Sequence, residues 1–287
     1  MKRVFLLAAG LCFALAGWAQ NDTIHLQHDT THLPSHGATA SPDDTIRVGN
    51  LLIIRNGRQD WDNPEYLRIH RRHDNYKPSR VSTNWVILDL GFANYNDRTH
   101  YSSAAAQQFA PGATNDWFRL RTGKSVDVNI WLFMQRVSLI KNVVNLKYGL
   151  GIELNNYRYE DDIRFHIDPT QVIMDTIHYS KNKLAVDYVT VPLMLNFNFA
   201  PHHRNSYGFS AGASVGYRYS SRQKFKSGET GKEKTFNDFD LDPWKISWIG
   251  ELNLGWLKFY GSYATKSMFS KGLNQIPYTV GIRFGNW

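Results

Sequence analysis

Three groups of residues have types and spacings that could do chemistry. His25, His28, His32 and His36 stand three or four residues apart, a spacing that would gather a metal ion on one face of a helix. Residues 21–43 are polar and lack apolar periodicity, so no helix is expected to present them, and they read as a polar tail without a metal. Gly123-Lys124-Ser125 has the ending of a phosphate loop, but Phe118 occupies the position that needs glycine. The residues after Ser125 alternate like a strand rather than opening a helix. Asp97, His100 and Ser102 lie together, with His166 and His178 further on, so the residue types of a hydrolytic triad are present. A triad is assembled in space, and closeness in sequence does not make one. No catalytic residue and no cofactor are expected from these groups.

The elements that would position them are marked by a period of two. Residues 143–157, VVNLKYGLGIELNNY, set Val144, Leu146, Tyr148, Leu150, Ile152 and Leu154 against Asn145, Lys147, Gly149, Gly151, Glu153 and Asn155. An ordinary strand runs ~5–6 residues, whereas a tilted membrane-crossing strand needs ~9–11. Seven other segments alternate likewise: 84–95, 125–135, 186–199, 206–219, 244–254, 257–264 and 277–287. In 125–135, Asp127, Asn129, Trp131 and Phe133 oppose Val126, Val128, Ile130, Leu132 and Met134. The connections run about 29, 7, 28, 6, 24, 2 and 12 residues, as outer-membrane barrels alternate long external loops with short periplasmic turns. The predicted fold is all-β, an eight-stranded antiparallel transmembrane β-barrel over residues 83–287.

A soluble barrel also alternates, so the faces must be told apart. An eight-stranded interior holds only the side chains that fill it or one small ligand, and about forty large apolar residues exceed that space. The opposing face is Gly, Ser, Asn and isolated charge, which suits a narrow lumen. It would hold Asp89, Asp127, Glu153 and Glu251 with Lys147, Arg218, Lys245, Lys258 and Arg283. Unpaired charge is costly in such an interior, so a structural ionic network is expected, with a proton relay or ion path as the alternative. Tyr148, Tyr157, Tyr188, Phe199, Tyr207, Tyr217, Trp244 and Trp256 lie toward strand ends, as interfacial girdles do.

The chain opens with Met1-Lys2-Arg3, an apolar run to Ala16 and Gly17-Trp18-Ala19, the pattern of a signal peptide cut after Ala19. Cys12, the single cysteine, follows Leu11, where a lipid-anchor signal wants a small residue. The mature chain would then carry no thiol, which excludes disulfides and cysteine chemistry. Residues 20–82 read as a polar, partly disordered periplasmic extension. It has a hairpin signal at Gly49-Asn50, a helix start at Asn63-Pro64, and a basic run of Arg68, Arg71, Arg72, Lys77 and Arg80. Aromatics make up 14 % of a chain whose mean hydropathy is only −0.44, because alternation hides an apolar face from averaging. A net charge of +8 on an exported chain points to outer-membrane lipids and lipopolysaccharide rather than nucleic acid.

At Val189-Thr190-Val191-Pro192-Leu193-Met194-Leu195-Asn196-Phe197 the chain resembles the PorT-like outer-membrane β-barrel proteins, whose fourth strand carries an L-x-I-P-L core. Tyr263 and Gly272 fit the same pattern. The closing alternation of Tyr278, Val280, Gly281, Ile282 and Phe284, ending on Trp287, resembles the signal read by the barrel-assembly machinery, with Asn286 where an aromatic is usual. The resemblance covers residues 83–287 and implies an outer-membrane location, with some members tied to secretion or gliding. The reading adopted is a structural or interaction barrel with an envelope or secretion-system protein as partner, displaying long loops such as 220–243. It is neither a general pore nor an enzyme; a lipid-modifying enzyme and a small-solute channel are the alternatives.

Overall fold

The structure, a computed structural model, describes residues 45–48, 51–54, 78–202 and 206–285. The chain divides into two units, Met1–His73 and Asp74–Trp287. In the first, β1 (Thr45–Val48) and β2 (Leu51–Ile54) pair antiparallel with Val48 opposite Leu51, the hairpin expected around Gly49-Asn50. The expected signal peptide with Cys12, the four histidines, Asn63-Pro64, the basic residues from Arg68 to Lys77, Asn286 and Trp287 lie outside the described residues.

The second unit holds a closed ring of eight antiparallel strands. In chain order its strands are β3 (Val81–Asp97), β4 (Val126–Ile140), β5 (Val144–Arg158), β6 (Ile163–Ile167), β7 (Thr170–Met174), β8 (Tyr179–Asn198) and β9 (Tyr207–Ser227). They continue with β10 (Lys232–Phe236), β11 (Trp244–Leu254), β12 (Leu257–Ala264) and β13 (Gln275–Phe284). The ring runs β3-β4-β5-β8-β9-β11-β12-β13, and β13 closes on β3 with Gly281 opposite Gly91. A ring leaves no strand edge unpaired, which a sheet in lipid requires. Pro192 sits inside β8, and the ladder to β5 skips it, as a residue without an N–H demands.

The eight strands follow the predicted order, but their ends differ. β8 and β9 run 20 and 21 residues, so the wall continues well past the segments 186–199 and 206–219. Residues expected as loops become the β6–β7 hairpin and β10, which pairs with the outer part of β9. The connection after β3 contains α1 (Ala104–Phe109), where Ser103 Oγ accepts from the Ala106 N–H at 3.2 Å.

Two irregularities decide which side chains face inward. The β4–β5 register shifts between Trp131 and Phe133, so Leu132 is exposed and Met134 is fully buried. Strict alternation predicts the reverse for Phe133 and Met134. On the neighbouring strand, Val86 has φ 54° and β3 changes phase at the same height. On β9 the shift between Asp187 and Tyr188 leaves Tyr219 unpaired. Beyond it Gln223 and Phe225 turn inward, while Arg222 and Lys224 turn out.

The outward face between these ends is apolar, with Leu90, Phe92, Leu193, Leu195, Phe209, Val215, Ile246 and Val280 all exposed. So extended a patch is an aggregation liability in water and the normal coat of a barrel in lipid. Trp85, Phe199, Trp256 and Phe284 rim the end with short turns, and Trp244 meets Tyr217 edge-on at 4.9 Å toward the other. Tyr157 and Tyr188, expected in a girdle, are instead buried inside. Tyr278, Val280, Ile282 and Phe284 face outward along β13, with Gly281 turned in. Among the described residues no helix is long and apolar enough to cross a membrane.

Candidate functional site

The lumen is filled by a buried polar network. Asp89 and Arg283 are register partners on β3 and β13. The guanidinium forks onto the carboxylate, Nε to Oδ1 at 2.7 Å and Nη2 to Oδ2 at 2.6 Å. Bidentate pairs of this kind combine strength with fixed geometry. Trp131 Nε1–H donates to Asp89 Oδ2 at 2.7 Å, and Arg283 lies 5.6 Å from the Trp131 ring centroid. Arg283 also pairs with Glu251, whose other oxygen takes Lys147 and, at 3.2 Å, Ser210 Oγ. Nearer the outer end Lys245 pairs with Glu153 at 2.5 Å, its ammonium 5.1 Å over Tyr188. Asp127 has no cation of its own among the described residues; Tyr260 Oη–H and, at 2.9 Å, Asn129 Nδ2 donate to it.

Glycine makes the room. A Cβ on Gly151 would lie 2.5 Å from the Trp131 ring, and one on Gly91 would lie 2.5 Å from Tyr260 Oη. Of the charged residues expected in the network, two sit apart. Arg218 donates to the Leu241 carbonyl at 3.1 Å and to Ser221 Oγ at 2.8 Å near the outer end. Lys258 donates to the Gly285 carbonyl near the opposite rim. Alternation fixes the phase of a side chain, not its height along the barrel, so it groups residues that never meet. Counting charges also misses Tyr260 and Trp131, the neutral donors that complete the carboxylates.

Little space remains. Three cavities among the described residues have volumes of about 30, 20 and 10 Å³, against the roughly 10–15 Å³ one water needs. A concavity of about 770 Å³ lies against the outer wall beside Trp248, Tyr263 and Tyr278.

Above the network the long loops share one apolar core. Residues 98–125 bring Phe109 and Phe118, 159–178 bring Ile163 and Phe165, 228–243 bring Phe239 and Leu241, and 265–274 bring Met268 and Phe269. The Phe165 ring lies parallel to Phe269 at 6.1 Å and takes Phe239 edge-on at 5.5 Å. Tyr157, Leu184, Val186 and Tyr188 from the wall close the core from below. Each such side chain contributes about 1.5–3 kcal/mol on burial. A buried amide ties hairpin to wall: Gln223 Oε1 accepts from the Phe165 N–H at 2.9 Å, and its Nε2 donates to the Ile163 carbonyl and Asn182 Oδ1, each at 3.0 Å.

The hydrolase residue types do not converge. Asp97 accepts from Tyr101 Oη at 2.6 Å, the Thr99 N–H at 2.9 Å and Gln275 Nε2 at 2.9 Å, none of which is a histidine. Ser102 and His166 are exposed, and His178 meets Asp162 at 2.8 Å on an open surface. Gly123 and Lys124 fall in a single 3₁₀ turn, and β4 begins at once. Among the described residues no three His, Cys, Asp or Glu gather as a metal site.

Residues 89–276 match the family described as outer membrane protein beta-barrel domain. No curated protein matches the chain. Among solved structures, the crystal structure of Neisserial surface protein A (NspA) is similar at 10 % identity, covering 71 % of this chain and 98 % of that one, with a TM-score of 0.30.

Proposed function

The chain belongs to the outer membrane protein β-barrel domain family, and from that premise we propose that it is a non-conducting surface barrel with a structural or protein-binding role. The observation that carries this is the external cap: four loops close over a lumen already filled by paired charges. Loops tied into one core present a fixed surface, which suits recognition rather than passage. Asp97 accepts from Tyr101, Thr99 and Gln275 rather than from a histidine, which supports a binding role for its loop over that of a lipid-modifying hydrolase. The Val191-Pro192-Leu193 stretch, accommodated in the wall by a gap in the β5–β8 ladder, supports kinship with PorT-like barrels and hence an envelope or secretion-system protein as partner. The outward row of Tyr278, Val280, Ile282 and Phe284 on the closing strand is what the barrel-assembly machinery would read.

Planar-bilayer recording tests the reading together with crosslinking in intact cells. It predicts no single-channel steps and one defined crosslinked protein from the external loops. Steady unitary conductance would refute it.

A further inference from the structure

The wall above the apolar belt carries a charge pattern that the barrel itself does not balance. Past Tyr219, the outward positions of β9 change from aromatic to Arg222, Lys224 and Lys226. The register to β8 and β10 lines cations into cross-strand rows, Lys183, Lys224 and Lys234 in one and Lys181, Lys226 and Lys232 in the next. Arg158 of β5 extends the first row. Residues directly opposed in antiparallel strands share a face with Cβ atoms ~4.5–5.5 Å apart, and like charges there are destabilising. Asp187, the one carboxylate among the described strand residues of this face, is taken by Arg222. Lys183 reaches Asn156 Oδ1 at 2.6 Å. The Lys224 ammonium is held below its ordinary range by burial first and then by Arg222 and Lys234. Other external loops mix signs instead, Arg119 with Asp116 and Lys266 with Asp242.

Height decides what such a face would meet. The rows stand just beyond Tyr217, Tyr219 and Trp244, an aromatic rim of the kind found at headgroup depth. They lie at the long-loop end, which is the external one. We propose that this face binds the phosphates of an anionic glycolipid of the outer leaflet. The lysine rows hold the phosphates while the acyl chains lie on Val189, Val191 and Tyr217 below. The inference rests on the surface-barrel reading and names a lipid partner for it. A lipid fits better than free phosphate because cations and apolar belt are continuous, and only an amphiphile meets both.

The test uses full-length protein in neutral detergent, titrated with diphosphorylated lipid A, with the dephosphorylated lipid and with inorganic phosphate. Bound lipid is read by native mass spectrometry and folding by the unfolding midpoint. Lipid A is expected to remain bound and raise the midpoint, and the other two are not. Lys183→Ser with Lys224→Ser should weaken lipid A about 30-fold, taking roughly 5-fold per surface cation. Without lipid that variant should melt no lower than wild type, because repulsion has been removed. Should it fold poorly, Lys226→Ser with Lys232→Ser on the exposed second row gives the same readout. Undiminished binding in both variants, or equal binding of the dephosphorylated lipid, overturns the proposal. Stabilisation by inorganic phosphate alone assigns the site to a free anion and overturns the lipid. Channel steps in a bilayer would refute the surface-barrel role while leaving this result standing, so the two failures are distinguishable.

Discussion

Tyr260 on β12 reaches Asp127 on β4 by lying across two intervening strands, over Gly281 and Gly91. The four residues form one row around the wall, and a Cβ at Gly91 or Gly281 would come within 2.5 or 2.7 Å of the Tyr260 side chain. The same Cβ would also press on the Val280 or the Leu90 carbonyl oxygen, so backbone and tyrosine together demand glycine, and the tyrosine serves a carboxylate with no cation of its own among the described residues.

Gly91→Val should therefore crowd the Val280 carbonyl, displace Tyr260 and destabilise the barrel by about 1–3 kcal/mol, the usual range for overpacking. The midpoint of the heat-modifiable gel shift reads this. Tyr260→Phe should show a loss of similar size, since Asp127 is left with Asn129. A Gly91→Val barrel melting with the wild type would mean that the row is loosely packed.

The Lys245–Glu153 pair is structural if breaking it is worse than removing it. Glu153→Ala leaves a buried ammonium against Tyr188 and should lower stability by about 3–5 kcal/mol. Glu153→Leu combined with Lys245→Met should recover most of that loss. A relay predicts the opposite, an unchanged midpoint in Glu153→Ala with altered proton movement.

Gln223→Leu removes the two hydrogen bonds by which Gln223 ties the β6–β7 hairpin to the wall, and a third to Asn182 of β8. Stranding the Phe165 N–H should cost about 1–3 kcal/mol, locally, while the Ile163 carbonyl keeps its bond from Asn182 Nδ2 at 2.7 Å. Limited proteolysis should cut residues 159–178 faster while the gel shift stays intact. Equal cutting rates would show that the apolar core alone holds the cap.

Lys183 supplies a pH signature. Burial first, then Lys181, Lys224 and Arg222, push its ammonium from 10.5 down to about 8, with Asp187 opposing. A folded value below the unfolded one means the unfolded chain binds more protons between those limits, so stability rises with pH across that window. Lys183→Met should flatten the rise. Parallel midpoint curves for the two proteins would contradict the assignment.

The strand count, the order and most of one face were legible because a period of two survives averaging over errors at strand ends. β5 alternates without a break from Val144 to Arg158, as its sequence demands. What stayed hidden depends on single inserted residues. Nothing in VDVNIWLFMQ says that Leu132 is extra, yet that residue exchanges Phe133 and Met134. Tyr219 likewise reverses the outer third of β9. The network was legible as a set of charges and not as pairs, since Arg218 and Lys258 share the phase of Arg283 at other heights. The cap was not legible, because its contacts join four loops far apart in the chain.

Spin-label accessibility tests most directly which side of the wall meets lipid. Cysteines placed singly at Leu193, Met194 and Lys224, with Cys12 replaced, report the outward belt, the lumen and the outer face of a barrel reconstituted in bilayers. The label at Leu193 should be relaxed by oxygen and not by a water-soluble nickel chelate, that at Met194 by neither, and that at Lys224 by nickel. Nickel access at Leu193 equal to that at Lys224 would place water against the apolar belt and contradict the account.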